Sequence, residues 1–181
     1  KKRLRSLVEL IVSEKLNRKV SFTAMVKPNH FDEEVAILMK DMNFKMVAFG
    51  FESGDETTLQ YLKHDSSKIS ENIDAINFCN KHGIGSCGYF ILGSPPETKE
   101  GLTKTYWFIR EHFPPMSITA GFCITPFPGT KTWDYALEKG VVNPDTENWD
   151  NYLITMDGAK KRTFFNENYD FDFFKYAYDN H

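Results

Sequence analysis

Residues 46–54 read MVAFGFESG, a run that is almost entirely apolar until it ends in an acid, a serine and a glycine. A nearly continuous apolar run of this length suits a β-strand that is buried on both faces, as in parallel sheets. α/β proteins place their sites at the carboxyl ends of such strands, on the loops that follow. The run therefore predicts a buried strand with a candidate site at its end.

Strand-forming residues dominate three more segments, which begin near residues 20, 88 and 118. A helical pattern over residues 4–11 precedes the first strand, and another follows each strand. Candidate N-caps of these helices are Asp32, Ser70 and Thr130. The strands are too far apart for hairpins, and their spacing leaves room for helical crossovers. The alternation predicts an α/β fold with four parallel strands and helices outside.

Size, charge and cysteine content exclude several classes of protein. The 181 residues allow one ordinary domain or two small ones, and the formal net charge of -3 argues against a nucleic-acid partner. No apolar run approaches the roughly 20 residues that span a bilayer, and no signal-like run follows the basic start. We therefore expect a cytoplasmic protein without a membrane partner. Its three cysteines suit buried thiols better than a disulfide framework; they are Cys79, Cys87 and Cys123.

The loops after the second and third strands carry the candidate site residues. Glu52 could accept hydrogen bonds from hydroxyl or ammonium groups, and the glycines on either side would let a ligand approach the backbone. Gly93 leaves room for a flat ring against the backbone, and Glu97 suits a helix N-terminus. An acid that caps the next helix, and an ordinary turn with a cap, account for these residues equally well.

The familiar catalytic and metal-binding motifs are absent from the sequence. The five histidines form no HExxH pair, and the cysteines are too far apart to match a metal-ligand motif. The sequence also lacks GxGxxG, a Walker loop and GxSxG. We therefore predict no metal ligand in this chain.

The character of the chain changes near residue 141, where a tail rich in phenylalanine and tyrosine begins. We expect an appendage over residues 141–181 that packs on the main domain of residues 1–140. The alternative is a poorly ordered tail whose partner is absent.

Three runs in order, each at a predicted strand end, resemble the radical S-adenosylmethionine (SAM) superfamily. They are FGFESG at 49–54, GYFILGSPPET at 88–98 and TPFPGT at 125–130, and KHGI at 81–84 fits as well. The closest branch is the one whose members often carry a cobalamin-binding domain. That branch includes methyltransferases and the anaerobic magnesium-protoporphyrin IX monomethyl ester cyclase. The resemblance covers roughly residues 1–140.

The resemblance implies a partial (β/α)6, TIM-like barrel in which these four strands are the third to the sixth. The superfamily holds a 4Fe-4S cluster on a CxxxCxxC loop after its first strand, and this sequence has no such motif. We therefore expect the C-terminal part of a radical SAM domain, inactive alone and without a bound cofactor. SAM, the cluster and, where the branch uses it, cobalamin would bind the intact protein. The open edges of the sheet should pair with other chains or be covered by the tail.

Site residues follow from the resemblance one by one. Glu52 matches an acid that contacts SAM in similar proteins, with Ser53 beside it. His64 falls where relatives often have a basic residue that faces the SAM carboxylate, and Lys63 is the alternative. In the next loop, Gly93 matches a glycine near the adenine, Glu97 matches an acid with a structural role, and Pro96 replaces the family's usual glycine.

The resemblance also implies a reaction. The intact protein would cleave SAM reductively to a 5′-deoxyadenosyl radical, which abstracts hydrogen from a small-molecule substrate for methyl transfer, oxidative cyclisation or a similar outcome. One alternative is a complete non-radical α/β-barrel hydrolase with Glu52 and Glu97 as its acid pair. Another is a non-catalytic binding module that uses the aromatic tail.

Overall fold

The computed structural model describes residues 1–64, 67–112, 115–145, 149 and 163–180. The helices are α1 (Lys2–Ser13), α2 (Glu33–Asp41), α3 (Glu56–Lys63), α4 (Ile69–Lys81), α5 (Lys99–His112), α6 (Lys131–Glu138) and α7 (Phe171–Asn180). The strands are β1 (Phe22–Val26), β2 (Phe44–Glu52), β3 (Gly85–Leu92) and β4 (Ile118–Cys123). Short 3-10 turns occupy Leu16–Arg18 and Pro28–His30.

The four strands form one parallel sheet in the order β1-β2-β3-β4. Each strand is followed by a helix, so the predicted parallel α/β architecture is confirmed. In the described part of the chain, β1 and β4 each pair with one strand only. Pairing of these edges with another chain remains a prediction.

The two faces of the sheet have different surroundings. The helix-covered face carries Val47, Phe49 and Phe51 of β2, all fully buried, and it forms the main core. Burying one such side chain stabilises the fold by about 2 kcal/mol. The opposite face, called the inner face below, has an open cavity of about 370 Å³ lined by Thr23, Ala24, Met25, Met46, Ala48, Cys87 and Tyr89. Alternation along β2 places Gly50 on this inner face as well, and the Glu52 carboxylate lies over the position that a Cβ of Gly50 would occupy.

Two of the predicted helix caps are confirmed. The Asp32 carboxylate accepts a hydrogen bond from the Val35 N–H at 3.1 Å, and the Thr130 hydroxyl accepts one from the Trp133 N–H at 3.2 Å. These bonds satisfy backbone donors that have no partner inside the first turn of a helix.

The predicted cap at Ser70 is wrong, because α4 begins at Ile69 and Ser70 is already its second residue. The Lys68 N–H donates to the Glu71 carboxylate at 2.9 Å, and the Ile69 N–H donates to the Glu56 carboxylate at 3.2 Å. Side chains from within α4 and from α3 thus accept hydrogen bonds from the backbone N–H groups at the start of the helix, which is the usual role of a serine cap.

The aromatic tail packs on the main domain over its described residues 163–180. Phe174 and Ala177 of α7 are buried in the main core, together with Tyr169. The expectation of a packed appendage is confirmed for these residues, whereas residues 146–148 and 150–162 lie outside the described part. The boundary at residue 140 remains a prediction.

Two further features of the described chain bear on the predictions. All three cysteines are free and buried, as expected for structural thiols. Across the described ranges, no helix has both the length and the apolar character needed to cross a membrane.

Candidate functional site

An ion pair lies at the carboxyl end of β2, on the inner face. The Glu52 carboxylate is 2.5 Å from the Lys63 ammonium, and these side chains keep 12% and 24% of their surface exposed. A pair that is partly withdrawn from water interacts more strongly than one on the open surface. The end of β2 therefore presents both signs of charge side by side, where a ligand can still reach them.

Gly50 makes the position of this ion pair possible. A Cβ atom at residue 50 would overlap the Glu52 carboxylate and lie 3.4 Å from the Lys63 ammonium. The carboxylate thus folds back over a backbone that carries no side chain. Any larger residue would force the carboxylate to shift from this position.

The backbone at Glu52 adopts the left-handed conformation, with φ of 61°. This conformation costs a residue with a side chain roughly 1–2 kcal/mol. The β2–β3 register shifts between Gly50 and Glu52, and the Ser53 N–H then donates to the Phe51 carbonyl at 2.7 Å. The strand therefore ends in a tight, strained turn, which turns the acid out of the ladder.

Ser53 lies beside this acid in the sequence, but its hydroxyl belongs to the packing of the turn. It is fully buried, lies 3.0 Å from the Thr105 hydroxyl of α5, and accepts the Asp55 N–H at 3.0 Å. The Gly54 N–H also donates to the Thr105 hydroxyl, at 3.0 Å. These bonds fix the turn to α5, so Ser53 helps to position the turn that carries Glu52. Its predicted contact with a cofactor stays a prediction.

Asp55 is a structural acid that the sequence analysis did not single out. As the N-cap of α3, its carboxylate accepts the N–H and the hydroxyl of Thr58, both at 3.0 Å, and faces Lys104 at 3.2 Å. Burial disfavours the charged form, but the hydrogen bonds from Thr58 and Lys104 prevail and lower the pKa of Asp55. An aspartate three residues before Thr58 is a recognisable capping signal.

The structure separates the two basic candidates. Lys63, the last residue of α3, reaches Glu52. His64 follows in the left-handed conformation, with φ of 50°, and is exposed. The turn between them therefore brings only the lysine to the acid.

The second candidate acid, Glu97, is completely buried. One carboxylate oxygen accepts the Gly93 N–H at 2.7 Å and the Tyr169 hydroxyl of the tail. Burial raises the pKa of Glu97 to about 7, although the hydrogen bonds from Tyr169 and Gly93 act in the opposite direction. The helix α5 begins only at Lys99, so Glu97 braces the loop after β3 and does not cap the helix.

Gly93, which has φ of 80°, leaves room for a ring, as the sequence suggested. The ring found there is Phe164 of the tail, since a Cβ at residue 93 would lie 2.8 Å from its Cε2 atom. The predicted contact of Gly93 with an adenine is untested. The sequence offered no local signal for this packing, because Phe164 is far along the chain.

The paired-acid hydrolase is not favoured by this geometry. Glu52 pairs with Lys63 on the inner face, whereas Glu97 is buried against Gly93 and Tyr169. The two acids share no partner residue. The structure therefore gives no support for a hydrolase in which both acids act on one substrate atom.

The cysteines do not form a metal site. Burial raises the pKa of both the Cys79 and the Cys123 thiols to about 12, which keeps them protonated. Among the described residues, no group of three or more histidine, cysteine or acidic side chains is arranged to hold a metal ion.

Comparison with known proteins identifies the family. The model of the radical SAM superfamily matches residues 2–109. The chain belongs to this superfamily. Over 144 residues, 78% of the chain, it is 35% identical to an uncharacterized methyltransferase of Pyrococcus horikoshii. It is 24% identical, over 74% of the chain, to the bacteriochlorophyllide d C-8(2)-methyltransferase of Chlorobaculum tepidum.

The chain spans 30% and 29% of the lengths of these two relatives. The fold also matches solved structures of the superfamily. The radical SAM methyltransferase TsrM from Kitasatospora setae, with cobalamin and a 4Fe-4S cluster bound, aligns with a TM-score of 0.66 at 15% identity, over 89% of this chain and 34% of that one. Coproporphyrinogen III oxidase of Escherichia coli aligns with a TM-score of 0.57 at 15% identity, over 85% of this chain and 35% of that one. The predicted fold, part of a TIM-like barrel, is confirmed.

Proposed function

We propose that this chain forms the part of a radical SAM methyltransferase that binds the amino-acid end of SAM. The observation that carries the proposal is the half-buried Glu52–Lys63 pair at the end of β2. A carboxylate and an ammonium side by side match the two charges of an α-amino acid.

Each side chain would have one task. Glu52 would accept hydrogen bonds from the ligand's ammonium group, and Lys63 would donate to its carboxylate. The ligand would replace one internal ion pair by two ion pairs with the protein. Partial exclusion of water strengthens both, and Gly50 leaves the space in which they form.

The described residues do not fit a 4Fe-4S cluster. Clusters of this type are held by closely spaced cysteine thiolates, whereas these three thiols are buried and widely separated in the sequence. We therefore assign no reaction step to a cluster in this chain, and propose that it binds no iron by itself. Because the chain spans about a third of the length of its relatives, the cluster ligands would belong to other residues of the complete protein.

Methyl transfer is the proposed reaction of the complete protein, because methyltransferases are among its relatives. Bound SAM would supply the radical or methyl chemistry, and the residues of this chain would hold and orient it. Cobalamin is a proposed further cofactor, supported by the fold shared with a cobalamin-bound methyltransferase. A small-molecule substrate would enter from the inner face.

Equilibrium binding of SAM to the complete protein tests the proposal. Lys63→Ala removes the charge opposite the ligand carboxylate, so we expect binding roughly tenfold weaker, as loss of a charge-assisted hydrogen bond implies. His64→Ala is the matched control and should bind like the wild type, because His64 is exposed. Equal binding by all three proteins would reject the proposed role of the ion pair.

A further inference from the structure

We infer that the tail segment 164–169 is a clamp that positions the loop 93–97, with Asn166 and Tyr169 as its positioning residues. The inference rests on the proposed function, since it takes SAM as the ligand of the site to which this loop belongs. The loop follows β3, the strand next to β2, so both strand ends meet at the same edge of the sheet.

The tail bonds to the main chain of the loop at three of its five residues. The Asn166 amide donates to the Ser94 carbonyl at 2.5 Å and to the Glu97 carbonyl at 2.8 Å. The Glu167 N–H donates to the Pro95 carbonyl at 3.0 Å. These contacts fix the backbone itself, which simple packing of side chains would not do.

The loop depends on these bonds because two of its residues are prolines. Pro95 and Pro96 have no N–H, so the loop can make few hydrogen bonds of its own. The Glu97 N–H makes one, to the Ser94 carbonyl at 3.0 Å. The Gly93 N–H makes another, to the Glu97 carboxylate at 2.7 Å. The tail, about 70 residues further along the chain, supplies three more to the carbonyls of Ser94, Pro95 and Glu97.

Asn166 is suited to this task because it uses both ends of its side chain. Its oxygen accepts the N–H groups of Asn168 and Tyr169, each at 2.8 Å, and this holds the tail in a turn. Its NH2 group is thereby directed at the two loop carbonyls. The pattern of donors and acceptors fixes the orientation of the amide, since carbonyls need the NH2 group and backbone N–H groups need the oxygen.

A buried anchor completes the clamp. The Tyr169 hydroxyl donates to the Glu97 carboxylate, which also accepts the Gly93 N–H. The Phe164 ring lies against Gly93, and Tyr169 packs against it with a centroid distance of 5.9 Å. Both ends of the loop are therefore held by the tail.

The variants that test the clamp separate positioning from folding. Asn166→Asp keeps the oxygen that holds the tail turn but cannot donate to the loop carbonyls, and Tyr169→Phe removes one hydroxyl and keeps the ring. Lys175→Ala is the control on α7, because its partner is the exposed Asp179 of the same helix.

Three quantities would be measured on the complete protein: amide hydrogen exchange at Gly93, thermal unfolding and the dissociation constant for SAM. We expect Asn166→Asp to speed exchange at Gly93 and to weaken SAM binding, each by about tenfold, as loss of one or two hydrogen bonds implies. Tyr169→Phe should act in the same direction. Exchange within α5 should not change, and Lys175→Ala should match the wild type throughout.

Wild-type exchange at Gly93 in both Asn166→Asp and Tyr169→Phe would overturn the clamp, and so would faster exchange with unchanged SAM affinity. A variant that also speeds exchange within α5 has lost the fold, and that result would assign the segment a merely structural role. If the wild-type protein binds no SAM, the proposed function fails. Exchange at Gly93 in Asn166→Asp then decides alone whether the tail holds the loop.

Discussion

Two acids follow neighbouring parallel strands, and the structure uses them in opposite ways. Glu52 ends β2 in a strained backbone conformation, lies on the inner face and pairs with Lys63. Glu97 follows β3, is completely buried and bonds to Gly93 and Tyr169. One acid is held where a ligand can reach it, and the other holds the loop in which it lies.

The difference shows that partners, and not place in the topology, decide what a strand-end acid does. Glu52 has a charged partner, Lys63, and the two charged groups of a zwitterionic ligand can replace this ion pair by two new ones. Glu97 has only hydrogen-bond donors around one oxygen, and among the described residues its other oxygen is unpartnered. A buried carboxyl in such surroundings favours its neutral form.

The largest expected effect is on stability, from Glu97→Ala. The substitution leaves the Gly93 N–H and the Tyr169 hydroxyl buried without their acceptor, and should lower the free energy of unfolding by about 3 kcal/mol. Denaturant unfolding measures this change. Glu100→Ala is the control, since that side chain is 77% exposed, and it should change stability by less than about 0.5 kcal/mol. Equal effects of the two substitutions would show that Glu97 is not the brace described above.

The next effect is a dependence of stability on pH. The Glu97 pKa is raised from 4.5 to about 7, so the folded protein keeps a proton that the unfolded chain releases near pH 4.5. The unfolded state thus binds fewer protons in this window, and the free energy of unfolding should fall as the pH rises through it, by about 3 kcal/mol in total.

Glu97→Gln isolates this contribution, because glutamine keeps an acceptor for Gly93 and does not ionise. Unfolding would be measured from pH 4.5 to pH 8, and the difference between wild type and variant removes the contributions of other acids. The wild type should lose stability relative to the variant as the pH rises. A constant difference would mean that Glu97 ionises in the folded protein as it does in the unfolded chain.

A smaller effect is expected from Gly50→Ala, and it should concern the affinity for SAM. The added methyl group would force the Glu52 carboxylate out of its present position. We expect SAM to bind roughly tenfold more weakly, a loss of about 1.4 kcal/mol. Gly121→Ala is the control, because its Cβ would meet only the tip of the Leu92 side chain, at 3.3 Å. Unchanged binding by Gly50→Ala would remove Glu52 from the ligand site.

Local patterns in the sequence were enough to predict the strands, the helices of residues 1–140 and the strand-end position of both acids, but they did not predict helix α7 of the tail. The partner of Glu52 was also within reach, since the resemblance offered Lys63 or His64 and only the geometry of the turn distinguishes them. The burial of Glu97 was not predictable, because its partner Tyr169 lies 72 residues away. Its place depends on how the whole tail packs, which no local spacing encodes. The error at Ser70 has this origin in part, since the Ile69 N–H donates to Glu56 of another helix.

The most direct test compares Glu52→Gln with Glu97→Gln in the complete protein at pH 6.5, by SAM binding and by denaturant unfolding. The proposed division of roles predicts that Glu52→Gln weakens binding by about tenfold and lowers the free energy of unfolding by about 1 kcal/mol, as loss of one ion pair implies. Glu97→Gln should leave binding within about twofold of the wild type, since glutamine retains the acceptor for the Gly93 N–H. Wild-type affinity in Glu52→Gln, or a tenfold loss in Glu97→Gln, would contradict it.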